Sequence, residues 1–151
     1  MTLTFRRATD ADLAAIIAML ADDALGRERE NTSVPVAACY RDAFAAISAD
    51  TNQLLAVAEK DGTVTGTLQI TFLPGLSHQG LWRGQIESVR ISSAARGGGI
   101  GRQFLEWAIE TCRERGCGII QLTSDKSRTD AIRFYENLGF AASHEGFKLK
   151  L

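Results

Sequence analysis

The sequence predicts an α/β domain, α+β in arrangement: a mixed sheet with helices packed on it, in the order β-α-α-β-β-β-α-β-α-β. Three observations point there. Apolar residues recur at helical spacing in four separate stretches. Short alternating or apolar runs, bounded by turn residues, stand before, between and after them. The chain of 151 residues carries no internal repeat, low-complexity tract or linker, so the elements are assigned to one domain over residues 1–151.

The elements follow in order. "LTFRRAT" alternates and reads as a strand. Thr9 or Asp10 caps a helix over "DADLAAIIAMLADDAL", with Leu13, Ile16, Ile17 and Leu20 on one face. "GRERENTS" is a polar break, and a second helix follows over "VPVAACYRDAFAAISAD", with Pro35 near its first turn. "QLLAVAEKDGTVTGTLQITFL" is two strands joined at Asp61-Gly62, a strong hairpin signal. "PGLSHQG" breaks the pattern before the strand "LWRGQIESVRIS". "IGRQFLEWAIETCRERG" sets Ile100, Phe104, Leu105, Ala108 and Cys112 at helical spacing, and Gly116 ends the helix. "CGIIQLTSD" has the few charges of a buried strand. In "RTDAIRFYENLGF", Ala131, Phe134, Tyr135 and Leu138 share a helix face and Gly139 stops it. "FAASHEGFKLKL" is expected to form a final strand or hairpin. Residues 81–125 make a β-α-β unit, whose two strands are therefore expected to be parallel.

The glycines of "RISSAARGGGIGRQFLEWA" stand where a helix must begin, although glycine costs up to about 1 kcal/mol there relative to alanine. A helix start offers unpaired N–H groups and a partial positive charge. Glycines let the backbone curl around an anion, with no Cβ in the way. A phosphate cradle is one reading; a plain turn of the chain is the other. The fingerprint GxGxxG fails, because Arg102 and Phe104 fall on its last position, and the P-loop pattern is absent. Nucleotide-binding folds are weakened accordingly.

Composition excludes more than it identifies. Hydrophobic residues at 45% and charged residues at 23% are ordinary for a globular chain, and a net charge of −1 gives no reason to expect a nucleic-acid or anionic-membrane partner. No apolar run approaches the roughly 18 residues of a membrane span, and the N-terminus lacks the apolar core of a signal peptide; the odd cysteine count without a CxxC pair fits a reducing cytoplasm, the expected location. Cys39, Cys112 and Cys117 form no CxxC pair and read as buried thiols; His78 and His144 have no ligand-like spacing to them, so no metal is expected.

RxxGxG does fit "RGGGIG", through Arg96, Gly99 and Gly101. With "IESVRIS" before it and "DAIRFYENLGF" after it, the chain resembles the GCN5-related N-acetyltransferase (GNAT) superfamily along its whole length. The resemblance implies a mainly antiparallel sheet of six or seven strands flanked by about four helices. It implies acetyl-CoA as cosubstrate, its pantetheine arm along the backbone of Val89, Arg90 and Ile91, where one N–H would face the thioester carbonyl. The N–H groups of Gly97, Gly98, Gly99, Ile100, Gly101 and Arg102 would hold the pyrophosphate. Arg96 and Arg102 are either phosphate partners or solvated arginines. Arg128 stands where many members carry asparagine; with Lys126 and Arg133 nearby it is a candidate for the ribose phosphate. Ser92, Ser93 and Ala94 replace the proline or acidic residue often found before the turn.

Two residues carry the implied chemistry. Glu87 matches a carboxylate that deprotonates the amine, a step required because an alkylammonium near pKa 10 is no nucleophile; the alternative is an edge carboxylate paired with Arg83 or Arg90. Tyr135 matches a tyrosine that protonates the leaving thiolate; the alternative is a packed aromatic, the role assigned to Phe134. The acceptor is a small-molecule or peptide amine, with Glu28, Glu30 and Glu145 as candidate anions and Phe72, Trp82 and His78 as candidate walls. A homodimer is compatible with the sequence. Direct transfer to a primary amine in a ternary complex is the leading expectation, over a covalent cysteine route. An acyl-CoA-binding sensor or regulatory module that has lost turnover is the alternative.

Overall fold

The computed structural model describes residues 2–151. The chain divides into two compact units, one ending at Gln121 and one running Leu122–Leu151. The first holds a five-stranded sheet in the order β1-β2-β3-β4-β5: β1 (Leu3–Arg7), β2 (Gln53–Lys60), β3 (Thr63–Leu73), β4 (Arg83–Ile91) and β5 (Ile119–Gln121). The first three pairings are antiparallel, and β4 and β5 run parallel, as a β-α-β connection requires. The helices of this unit are α1 (Leu13–Ala21), α2 (Gly26–Arg29), α3 (Ala38–Ala49), α4 (Ser77–Gly80) and α5 (Ile100–Glu114).

Local chemistry explains most boundaries. The hairpin closes at Asp61 (φ 51°) and Gly62 (φ 83°), the two positive φ values of a type I′ turn, and Lys60 pairs with Thr63. At the first helix the Thr9 N–H donates to the Asp12 carboxylate at 2.7 Å, and Asp12 is held in turn by Arg6 at 2.8 Å. Arg6 also reaches Glu59 at 2.6 Å, so one guanidinium ties β1, the helix start and β2 together. Its hydrogen bond holds the Asp12 carboxyl below the usual carboxylate range. α5 ends as expected at Gly116 (φ 83°), where the Gly116 N–H donates to the Arg113 carbonyl and the Cys117 N–H to the Cys112 carbonyl.

The two faces of the sheet are covered differently. Leu68, Ile70 and Phe72 of β3 alternate with Thr67, Gln69 and Thr71, so they lie on opposite faces. On the first face Phe5 stacks on Phe104 of α5 at 5.1 Å, the Arg115 guanidinium lies 3.9 Å above the Phe72 ring, and a Cβ at Gly84 would lie 2.5 Å from the Cys112 thiol. All five residues assigned to the buried face of α5 are buried, and burial pushes the Cys112 thiol up to about 12. On the other face Ile16 of α1 packs with Ala8, Leu55 and Val57, while Leu20, Phe44 and Ile47 close over them.

The second unit contains α6 (Thr129–Asn137). It stops at Gly139 (φ 99°), whose N–H donates to the Glu136 carbonyl while the Phe140 N–H donates to that of Tyr135.

Several expectations are corrected. The sheet has five strands rather than six or seven, because residues 140–151 form no strand among the described residues. The alternation "FKLKL" has the strand period, but a strand exists only by pairing, and Phe147, Leu149 and Leu151 stand exposed. β5 is three residues long with Ile119 52% exposed, so it is not the buried strand expected. The structure has six helices rather than about four: the polar break holds α2, and "PGLSHQG" holds α4, where His78 and Gln79 take left-handed conformations. α3 starts at Ala38 rather than at Val34, so Pro35 lies just before its first turn. Of the three thiols only Cys112 is buried; Cys39 is exposed and Cys117 intermediate.

Candidate active site

The site is built on β4. Its register against β3 runs from Arg83 to Ile91 but shifts between Thr67 and Gln69, opposite Ser88, whose φ is 55°. This bulge puts an extra residue into the strand and re-aims the side chains around it. Glu87 and Ser88 are both exposed in the middle of the sheet, while Ile86, one residue earlier, is 1% exposed. Glu87 pairs across the strands with Gln69, which places it on the α1 and α3 face.

The same strand has a bare edge. β5 pairs only with Arg83, Gly84 and Gln85, whereas β4 continues to Ile91. Beyond Gln85 the β5 side of β4 therefore has no strand partner among the described residues. Its backbone groups are available to an extended ligand that adds as a strand. Two carbonyls here already accept from arginines: Val89 from Arg90 Nη1 at 2.9 Å and Ile91 from Arg96 Nε at 3.2 Å. A carbonyl has two lone pairs, so each keeps capacity for another donor. The arginines are steered by the end of α1 and the residues after it. Arg90 lies 3.3 Å from Asp23, with its side chain 11% exposed, and Arg96 lies 3.8 Å from Asp22.

The glycine turn follows directly. Gly97 and Gly99 have φ values of 84° and 79°, which only glycine adopts without strain, and Gly99 is the N-cap of α5. An added Cβ at either would meet nothing within 4 Å, so the turn's backbone lies bare. The N–H groups of Ile100, Gly101 and Arg102 in the first turn of α5 have no intrahelical acceptor. Together these groups fit a phosphate. A groove of about 500 Å³ runs beside the start of the turn, lined by Met19 and Asp22 of the α1 end, Thr32, and Ser92 to Ala94. Arg102 pairs with Glu106 one helical turn along at 3.0 Å, both exposed.

The structure thus brings Glu87, Val89 to Ile91, Arg96 and the turn from Gly97 to Arg102 onto one strand–turn–helix segment of the first unit. Arg128 and Tyr135 belong to the second unit. Arg128 is the N-cap of α6, its N–H donating to the Asp125 carbonyl. The Tyr135 ring meets Phe134 at 5.3 Å and Phe140 at 5.9 Å, both edge-on. In the same unit Lys126 reaches Glu145 at 3.7 Å. Ser127 hydrogen bonds hold the Asp125 carboxyl below its usual range.

The expected acceptor walls need revision. Phe72 is 2% exposed on the α5 face and cannot touch a ligand on the Glu87 side. Sequence reading missed Ser88, Gln69 and Tyr40, which border a cavity of about 150 Å³ between α1, α3 and the sheet. The Tyr40 hydroxyl donates to Glu30 at 2.9 Å and accepts the Asn31 N–H at 2.8 Å, and burial raises its pKa. Glu30 is therefore engaged with Tyr40. The polar alternation in "TLQITF" is the signal that could have placed Gln69 on the open face and Phe72 on the closed one.

A bulged, bare-edged strand running into a glycine turn at a helix start is the arrangement that the resemblance to the acetyltransferases implies. The acetyltransferase (GNAT) family model matches residues 19–140, and the chain belongs to that family. It is 35% identical over 108 residues to the aminoalkylphosphonate N-acetyltransferase of Salmonella typhimurium, covering 72% of this chain and 70% of that protein. It is 30% identical over 90 residues to the glucosamine 6-phosphate N-acetyltransferase of Trypanosoma brucei brucei, covering 60% and 59%. A crystal structure described as a transcriptional regulator from Bacillus halodurans superposes with a TM-score of 0.96 at 53% identity, over 99% of this chain and 100% of that one.

Proposed function

We propose that the chain is an acetyl-CoA-dependent N-acetyltransferase that acts on a primary amine in a ternary complex, as one domain over residues 1–151 in the cytoplasm. The observation that carries the reading is the continuity of Glu87, the bare edge of β4 and the bare glycine turn on one segment. The family match spans both units, and the two N-acetyltransferases similar to this chain favour catalysis.

When bound, acetyl-CoA supplies a thioester carbonyl open to attack by an amine. The backbone of Val89, Arg90 and Ile91 would align its pantetheine arm, and the N–H groups from Gly97 to Arg102 would hold the pyrophosphate. Arg96 sits at the start of that turn, and Arg128 is a candidate for the ribose phosphate. Glu87 takes the proton from the acceptor ammonium; without that transfer the nitrogen lone pair is occupied. A backbone N–H of the bulged strand would stabilise negative charge on the thioester oxygen. By the resemblance, the Tyr135 hydroxyl would supply the proton that the leaving thiolate needs.

The wild-type chain is tested with acetyl-CoA and a panel of primary amines, following thiol release and the acetylated product together. Equal amounts of both are expected for at least one amine. Binding of acetyl-CoA with no turnover across the panel would favour the alternative, an acyl-CoA-binding regulatory module. The description of the Bacillus halodurans structure makes that alternative worth separating.

A further inference from the structure

We infer that the acceptor is an amine carrying a compact apolar group of about five or six carbons, seated in the cavity between α1, α3 and the sheet. The inference rests on the acetyltransferase reading and adds the substrate class. The cavity adjoins the chemistry through the β4 bulge: Ser88, next to Glu87, lines it, and so does Gln69, the cross-strand partner of Glu87.

The walls are apolar on both helices. α1 contributes Leu13, Ile16, Ile17 and Leu20, and α3 contributes Ala43, Phe44 and Ile47. Of the four polar side chains, the Ser88 hydroxyl is open and the other three are turned to protein partners. The Thr67 hydroxyl donates to the Ala56 carbonyl at 3.1 Å, Gln69 Nε2 donates to Gln53 Oε1 at 2.9 Å, and the Tyr40 hydroxyl is engaged by Glu30 and Asn31. No Lys or Arg lines the cavity, so it offers no counter-charge to a phosphate or phosphonate. A polyhydroxylated ligand would find only the Ser88 hydroxyl open and would leave most of its own hydroxyls unpaired there, which is costly. A volume of about 150 Å³ equals that of an apolar cavity known to take benzene. With the apolar group inside, an ammonium at the mouth stands beside Glu87, a carboxylate suited to bind it and take its proton.

The test is a ladder of straight-chain primary amines from ethylamine to octylamine, with 3-methylbutylamine, benzylamine, ethanolamine and 2-aminoethylphosphonate, assayed on the full chain with saturating acetyl-CoA. Each methylene buried should raise kcat/KM roughly fourfold, levelling off when the cavity is full near five carbons. Ala43 is exposed at the cavity rim, so Ala43→Phe can occupy the space without disturbing the core. That variant should flatten the ladder, and Ala43→Leu should flatten it partly; circular dichroism checks the fold of each. Turnover with a flat or falling ladder, or a preference for 2-aminoethylphosphonate, would overturn the inference and leave the acetyltransferase reading standing. Failure to turn over any amine would overturn both.

Discussion

The two faces of the sheet in the first unit share their strands but not their purpose. The α5 face is closed: Phe104, Leu105, Ala108 and Cys112 are fully buried, and at Gly84 the Cys112 thiol stands where a side chain would. The α1 and α3 face is open at its centre, with a cavity, a polar row and an exposed carboxylate. Dense packing stabilises the fold, while imperfect packing leaves room for a ligand. The β4 bulge marks the change, because Ile86 faces the core and Glu87 faces the opening.

Breaking the closed face should cost the most stability. Phe104→Ala removes a ring that stacks on Phe5 and meets Trp107 at 5.9 Å, and is expected to cost about 4 kcal/mol. Urea unfolding at neutral pH measures it; a loss below about 1 kcal/mol would mean that this face is not the main source of stability.

Tyr135→Phe sharpens the comparison by changing chemistry without packing. The ring contacts with Phe134 and Phe140 remain, so the variant should stay folded, as a melting curve checks. If the hydroxyl protonates the leaving thiolate, kcat should fall by about 10²-fold, and by less with a thioester whose thiol has a lower pKa. A folded variant with full activity would make Tyr135 a packing residue.

A smaller effect lies in the tether of the open face. Arg6 holds the Asp12 carboxyl below its ordinary range, so the stabilisation is complete above that range and is lost as the pH falls through the depressed folded-state value. Asp12→Asn should cost about 2 kcal/mol at neutral pH, and the gap to wild type should close as the pH falls below the ordinary carboxylate range. Urea titrations at several pH values check it; a gap that is constant with pH would mean that the Arg6 ion pair contributes nothing.

Much of this was legible in the sequence where a signal is local. The glycines before α5, Asp61-Gly62, the stops at Gly116 and Gly139, and the buried stripe from Ile100 to Cys112 each carry their own stereochemistry or period. What was not legible depends on distant partners. Ser88 takes a positive φ without being glycine, a conformation set by its register against β3. The C-terminal alternation lacks a strand to pair with. The cavity is lined by residues of α1, α3 and three strands that meet only in the fold. Glu87 could be named from the resemblance, but its side of the sheet followed only from the pairing with Gln69.

The most direct test of the open face as a reaction site is the pH–rate profile of Glu87→Gln against wild type, with saturating acetyl-CoA and the best amine of the ladder. If Glu87 takes the proton, kcat/KM should fall by about 10²-fold at neutral pH and recover as the pH approaches the pKa of the free amine, near 10. Acetyl-CoA affinity, measured by calorimetry, should stay within about twofold of wild type. Two parallel profiles, with no loss at neutral pH, would contradict the assignment of the open face as the place where the amine is activated.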